Sequence, residues 1–298
     1  MNHEAVLNSE PERLSAVKNR SQVWAIGIYS GSSPFDLAPH PKIENPVLTC
    51  RDVSDIQARF LADPFMLRVE NVWYMFFEIM NRQTGKGEIG LAISRDGLDW
   101  DYQRVVLSER IHLSYPYVFC WDGEYYMIPE TYQAGSVRLY RAARFPDKWS
   151  YVKTLIGVPG LDSSIFQFDD RWWMFVCPVS CKHDLLWLYY ADRPTGPWAA
   201  HPKNPIVRDN RRMARPAGRA LVFDGNVIRY TQDCYPYYGT QVRAFNITEI
   251  TTETYVEKEH ESSPVLRAAP SGWNMGGMHH VDPHPLPDDG WIACVDGW

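Results

Sequence analysis

Acidic side chains recur along this chain at a spacing that would collect them in one place. Five segments open on a polar or proline-containing motif: Ala62-Asp63-Pro64-Phe65, Ser114-Tyr115-Pro116-Tyr117, Asp162-Ser163-Ser164-Ile165, Arg215-Pro216-Ala217-Gly218 and His279-His280-Val281-Asp282-Pro283. A second segment follows each, and four of these five end on a carboxylate, at Glu78, Glu130, Asp233 and Asp296, while the third ends at Cys177. Brought together with Asp63, Asp162 and Asp282, these acids would form an acid/base centre, because crowded carboxylates raise one another's pKa and one can keep a proton while another stays ionised. Arg215 and Arg219 would offset the crowding or bind an anionic group. His279 and His280 with nearby acids also resemble a metal-ligand set. Successive residues on a strand point to opposite faces, however, so the pair reads as pocket lining or core hydrogen bonding, and neither a metal nor a cofactor is expected.

The element that must position these groups is a β-hairpin. Its turns are Glu70-Asn71, Asp122-Gly123, Asp169-Asp170, Asp224-Gly225 and Asp288-Asp289-Gly290, residues that tolerate the positive φ of tight turns. The return strands align without gaps over 73–78, 125–130, 172–177, 228–233 and 291–296. In an antiparallel pair, the start of the first strand and the end of the second share one end of the sheet, so Asp63 neighbours Glu78 and the other pairs follow suit. Capping a turn would explain any one Asp equally well; it does not explain why the acids share one end while the opposite tips are ordinary turns.

Equivalent positions Asp63, Tyr115, Ser163 and Arg215 are separated by 52, 48 and 52 residues, with 64 more to His279, a period that fits propeller blades. Third strands are expected at 88–94, 136–141, 185–190 and 240–245, and Trp100, Trp149 and Trp198 follow turn-rich segments as packing residues on the flank. The last repeat has only two strands, whereas Val23 to Tyr29 is a strand with no repeat of its own. Joining them closes the ring and removes exposed edges. The chain is thus read as all-β, a single five-bladed β-propeller over 23–298 whose last blade is completed by the N-terminal strand, preceded by a flexible arm over 1–22. The stretch from Gly31 to Ala58 is expected to be a connector crossing the mouth.

Composition agrees with this architecture. The 298 residues are 45% hydrophobic and 14% aromatic, enough to bury a large β core. A net charge of −6 disfavours nucleic acid or an anionic membrane as the main partner. Met1 to Arg20 has no continuous apolar run, so no signal peptide, no membrane insertion and a cytoplasmic location are expected. The six cysteines have no paired zinc spacing and read as reduced thiols.

Several motifs carry a family resemblance: Ile26-Gly27-Ile28-Tyr29, Asn45-Pro46-Val47-Leu48, Ala62 to Phe65, Ser114 to Tyr117, Tyr126 to Glu130, Leu139 to Ala142 and Arg215 to Arg219. From Trp24 onward the chain resembles the N-terminal domain of plant glucosamine inositolphosphorylceramide transferases and its bacterial relatives. It is more distantly similar to the five-bladed glycoside hydrolases that act on furanosides, arabinans and fructans. The plant proteins keep glycosyl transfer in a separate domain, so sugar-nucleotide chemistry is not implied here. The hydrolase resemblance implies that Asp63 is base or nucleophile and that Asp162 orients or tunes it. Where those hydrolases place a blade-four Glu, this chain has Arg215 to Arg219. Glu130 is therefore taken as the acid, with Glu78 behind it. Glu78, Tyr115, Arg215, Arg219, Asp233, His279, His280 and Asp282 are taken as substrate contacts. The expected function is a glycoside hydrolase-like enzyme with a carbohydrate substrate, which the arginines would favour being anionic. The alternatives are a noncatalytic glycan-binding module associated with polysaccharide or glycolipid synthesis, and a metal-dependent site.

Overall fold

A computed structural model describes residues 22–180 and 183–298. Its strands are β1 (Ala25–Ser33) and β2 (Asp36–Pro39), then β3 (Ala58–Val69), β4 (Val72–Asn81), β5 (Gly87–Ser94) and β6 (Asp101–Leu107) as blade one. Blade two is β7 (Ser114–Trp121), β8 (Glu124–Glu130), β9 (Val137–Arg144) and β10 (Lys148–Ile156). Blade three is β11 (Gly160–Phe168), β12 (Arg171–Pro178), β13 (Trp187–Ala191) and β14 (Ala199–Ala200). Blade four is β15 (Leu221–Phe223), β16 (Asn226–Asp233), β17 (Gln241–Ile250) and β18 (Tyr255–Glu259), with β19 (Leu266–Arg267) paired to β17. Blade five is β20 (Val281–Pro285) and β21 (Trp291–Gly297) followed by β1 and β2. The fold is a five-bladed β-propeller.

The ring closes as the sequence implies: β1 runs antiparallel to β21 with Ala25 opposite Gly297 and Gly31 opposite Trp291. The segment from Gly31 onward is more than a connector, because β2 forms the outer strand of blade five and Leu48 bridges Ile26. Among the hairpin tips, Glu70, Asp122, Asp169, Asp170, Asp224 and Asp289 all take positive φ, as turns of this kind demand. The arm expected over 1–22 lies, apart from Gln22, outside the described residues, and so does Cys181. Cys50, Cys120, Cys177, Cys234 and Cys294 are unpaired thiols. No helix among the described residues is long and apolar enough to cross a membrane.

The core lies between blades. Phe65 and Phe76 of blade one pack with Tyr117 and Ile128 of blade two and Trp172 of blade three. Val227 and Ile247 of blade four meet Phe166 and Phe175 of blade three, Ile228 and Tyr230 meet Tyr29 and Trp291 of blade five, and Ile26 and Ile28 meet Leu61 and Met75. The channel itself is plugged. Tyr115 hydroxyl, fully buried, accepts from the Gly218 amide at 2.6 Å and donates to the Gly218 carbonyl at 2.9 Å, with Ser164 Oγ 2.7 Å away. A side chain at Gly218 is impossible: its φ is +131° and a Cβ would sit 1.8 Å from the Val281 carbonyl oxygen.

Candidate active site at the channel mouth

Each of the first three inner strands breaks its ladder at the mouth. The register slips between Ala62 and Phe65, between Ser114 and Tyr117, and between Leu161 and Ser164. Within these bulges Asp63, Tyr115 and Asp162 take φ of 53°, 46° and 46°. Such backbone persists only where neighbours hold it, and bulges turn side chains toward sites. Asp162, not Ser163, is therefore the blade-three counterpart of Asp63 and Tyr115, since the bulge has the same length in all three blades.

Carboxylates do the holding. Asp296 Oδ2 accepts from the Asp63 amide at 3.0 Å, Asp63 Oδ2 from the Tyr115 amide at 3.2 Å, and Glu130 Oε2 from the Asp162 amide at 3.3 Å. Deeper in the channel, Asp282 Oδ2 accepts from the Met66 amide at 2.7 Å. Most of the recurrent acids thus cap backbone donors that the bulges leave without a ladder partner. Glu78 differs, for among the described residues no hydrogen bond reaches its Oε1, which is buried.

The charges split the acids into two states. Asp162 is held by Arg215, whose Nε donates to Oδ2 and whose Nη2 donates to Oδ1 at 3.3 Å, and by Gln232 Nε2 at 2.7 Å. Burial opposes ionisation of Asp162, but the guanidinium outweighs it and keeps this carboxyl below its ordinary pKa. Asp63 is pushed up to about 7, chiefly by burial, with His279 opposing. Glu78 and Glu130 are raised well above the ordinary range, first by burial and then by neighbouring acids, Asp63 for Glu78 and Asp162 for Glu130. Burial and neighbours thus favour the charged form of Asp162 and the neutral forms of Glu78 and Glu130, with Asp63 between them.

His279 and His280 both turn toward Asp63. His279 Nε2 is 3.7 Å and His280 Nδ1 3.8 Å from Asp63 Oδ1, contrary to the expectation of opposite faces. They precede β20, so strand alternation does not apply to them. His279 Nδ1 bonds Asp296 Oδ1 at 2.7 Å, and the Trp24 ring stacks on its imidazole at 4.0 Å. Asp63, His279 and Asp296 have ligand atoms within 4.8 Å of one another. His279 and Asp296 are already spent on each other, and we assign no ion to the three. A cavity of about 260 Å³ opens beside them, walled by Trp24, Arg59, Ala62, Glu78, Tyr238 and His279.

The family model for glucosamine inositolphosphorylceramide transferase 1, N-terminal, matches residues 17–298. The chain belongs to this family. It is 37% identical over 298 residues to glucosamine inositolphosphorylceramide transferase 1 of Oryza sativa subsp. japonica, covering 92% of this chain and 40% of the relative. The Arabidopsis thaliana protein of the same name is 36% identical over 295 residues, covering 92% and 39%. The chain thus spans about two fifths of the length of these curated relatives. Among solved structures, a glycosyl hydrolase from Bacteroides ovatus superposes with TM-score 0.62 at 10% identity, covering 86% of this chain and 92% of that one. An exo-β-1,3-galactanase from Clostridium thermocellum gives TM-score 0.56 at 13% identity, covering 70% and 51%. An α-L-arabinanase from Cellvibrio cellulosa complexed with arabinohexaose gives 0.56 at 14%, covering 80% and 93%. At such identities the likeness is one of fold.

In this member of the transferase N-terminal family, the sequence-nominated residues fall into three places. Asp63, Glu78, Glu130, Asp162, Arg215, His279 and His280 gather at the mouth. Arg219 and Asp282 lie deeper, joined at 2.8 Å, with His284 Nε2 on Asp282 at 2.9 Å. Asp233 is buried inside blade four on Arg243 at 2.8 Å and Arg212 at 3.6 Å, away from the mouth. Tyr115 has its hydroxyl in the channel plug, so it is not available as a surface contact. Arg215 and Arg219 are both committed to internal carboxylates, which leaves exposed Arg59 as the cation on the cavity wall. The contributions of Gln232, Trp24, Tyr238 and His112 were not visible in the motifs, because each acts through a partner brought from another part of the chain.

Proposed function

We propose that the chain is a glycan-cleaving enzyme that uses carboxylates at the propeller mouth. The observation that carries this reading is geometric: Asp63, Glu78, Glu130 and Asp162 meet at one channel mouth beside a small cavity, where Arg215 favours the charge on Asp162 and burial favours the neutral forms of Glu78 and Glu130. Glycoside cleavage needs one carboxyl to protonate the leaving oxygen and a second to act as base or nucleophile. Asp63 takes the second role, Asp162 with Arg215 orients it electrostatically, and a buried glutamic acid takes the first. Trp24 and Tyr238 offer aromatic surface to sugar C–H faces, and Arg59 offers an anionic sugar a partner.

A second reading, a glycan-binding module serving glycolipid synthesis, is favoured by Arg215 at the blade-four position and by the transferase names of the relatives. Cleavage and binding measured on one panel of uronic-acid, amino-sugar and furanoside oligosaccharides separate the two. Under the enzyme reading Asp63→Asn lowers turnover by about 10²- to 10⁴-fold with little change in melting temperature at acid pH, where Asp63 is neutral and the amide oxygen can still accept from Tyr115. Tight binding of a panel glycan by the wild type, with no cleavage of any member, establishes the module instead.

A further inference from the structure

We infer that Glu78, and not Glu130, is the acid that protonates the leaving group, and that His112 positions it. The inference rests on the glycan-cleaving reading and concerns which carboxyl serves it. Four observations converge on Glu78. Glu78 lines the cavity, whereas Glu130, like Asp63, lies behind its wall. Its backbone lies opposite Ala62 in the β3–β4 ladder, one residue from Asp63, so both carboxyls issue from the same end of blade one. Among the described residues it caps no backbone amide, unlike Asp63, Glu130, Asp282 and Asp296. Glu130, by contrast, is occupied: its Oε2 accepts from the Asp162 amide and lies 3.6 Å from Arg215 Nη2.

The fourth observation fixes which oxygen of Glu78 carries the proton. The Gly87 amide donates to His112 Nδ1 at 2.9 Å, so in the neutral imidazole the hydrogen must sit on Nε2. Burial and the nearby Arg215 hold His112 below its ordinary pKa, which keeps it neutral. Nε2 in turn lies 3.6 Å from Glu78 Oε1, a distance that a bound sugar could tighten. Once that gap closes, the Nε2 hydrogen would donate to Oε1 and leave the acid hydrogen on Oε2. Gly87 keeps the arrangement tight, since a Cβ there would meet Glu78 Oε1 at 2.7 Å and His112 Cε1 at 2.9 Å.

In the step itself, the hydrogen on Glu78 Oε2 passes to the glycosidic oxygen as the bond from that oxygen to the anomeric carbon breaks. A water molecule supplies the hydroxyl that the anomeric carbon takes up, and the remaining water proton goes to the Asp63 carboxylate. Solvent exchange then returns one proton from Asp63 to Glu78, so the net change is the consumption of one water.

The test compares Glu78→Gln, Glu130→Gln, His112→Phe and His112→Gln on 4-nitrophenyl glycosides and on disaccharides of the same sugars, each variant first checked by thermal melting. A 4-nitrophenolate leaves without a proton; a sugar alkoxide does not. Glu78→Gln should lower kcat on the disaccharide by about 10²- to 10⁴-fold, lower it far less on the 4-nitrophenyl glycoside, and abolish the alkaline limb of the pH profile. His112→Phe should move that limb to higher pH while His112→Gln, which keeps an N–H donor, holds it in place. If the leaving-group dependence and the lost limb appear in Glu130→Gln and not in Glu78→Gln, the assignment to Glu78 falls while the enzyme reading stands. If both His112 variants keep the wild-type limb, the positioning role falls. A wild-type protein that cleaves nothing overturns the enzyme reading, and this inference with it.

Discussion

Two buried acids in the same channel are held in opposite ways. Asp282 accepts from the Met66 amide, from Arg219 Nε and from His284 Nε2, and these partners pull its pKa below the ordinary range despite complete burial. Glu78 is buried to a similar degree, but among the described residues no guanidinium or backbone amide bonds its carboxyl, His112 lies 3.6 Å away, and its pKa moves up. Burial alone penalises the charged form; partners decide whether charge survives it. Asp282 is consequently a fixed anion that ties blade five to Arg219 and to blade one, whereas burial favours the neutral form of Glu78. The difference separates acids that build the propeller from an acid that the propeller leaves free.

The largest perturbation removes the ground on which both clusters stand. Asp282 and Asp296 sit on β20 and β21, and β1 is the strand that pairs with β21. Deleting residues 1–29 should therefore destabilise the whole domain, with deletion of 1–20 as the reference. Equal melting temperatures for the two truncations would contradict closure by β1.

A smaller but still severe effect is expected from Arg219→Met, which strands Asp282 without its main counter-charge. Breaking a buried pair from one side costs about 3–5 kcal/mol, measurable as a drop in the urea midpoint. Glu78→Gln should stay within about 1 kcal/mol of wild type, because a neutral acid replaced by a neutral amide loses no paired charge. Similar losses for the two variants would erase the distinction drawn between the clusters.

The subtlest test is pH. Asp63 is raised from an ordinary 3.8 to about 7, mainly by burial. A carboxyl that binds its proton more tightly when folded stabilises the fold fully below its unfolded pKa and loses that contribution as pH rises through the folded value. The Asp63 contribution should accordingly be lost between about pH 4 and about pH 7, so Asp63→Asn should gain stability relative to the wild type as pH rises through that window. Parallel wild-type and Asp63→Asn curves across that window would show that Asp63 is not titrating there.

Much of the architecture was legible because it rests on local chemistry. Asp-Gly and Asp-Asp tips dictate hairpins, the repeated return strands dictate a common frame, and an unpaired N-terminal strand facing an incomplete last repeat dictates closure. The placement of acids at one end follows from antiparallel pairing alone. The frame failed where it was anchored on the opening motifs: Ser163 was aligned with Asp63 and Tyr115, but blade three carries the same bulge as blades one and two, and the register assigns that position to Asp162. Strand alternation likewise misdirected His279 and His280, which lie just before their strand.

The sequence by itself determined the five blades, their closure and the convergence of Asp63, Glu78, Glu130 and Asp162, since each depends on period, turn residues and strand direction. Only the tertiary structure decided which acids are charged and which are free. That outcome depends on partners far away in the chain: Arg215 on Asp162, Arg219 on Asp282, and an imidazole at His112 near Glu78. A guanidinium two residues from an acid in sequence can face another blade, and one fifty residues away can neutralise it, so protonation is written in the packing of blades rather than in the order of residues.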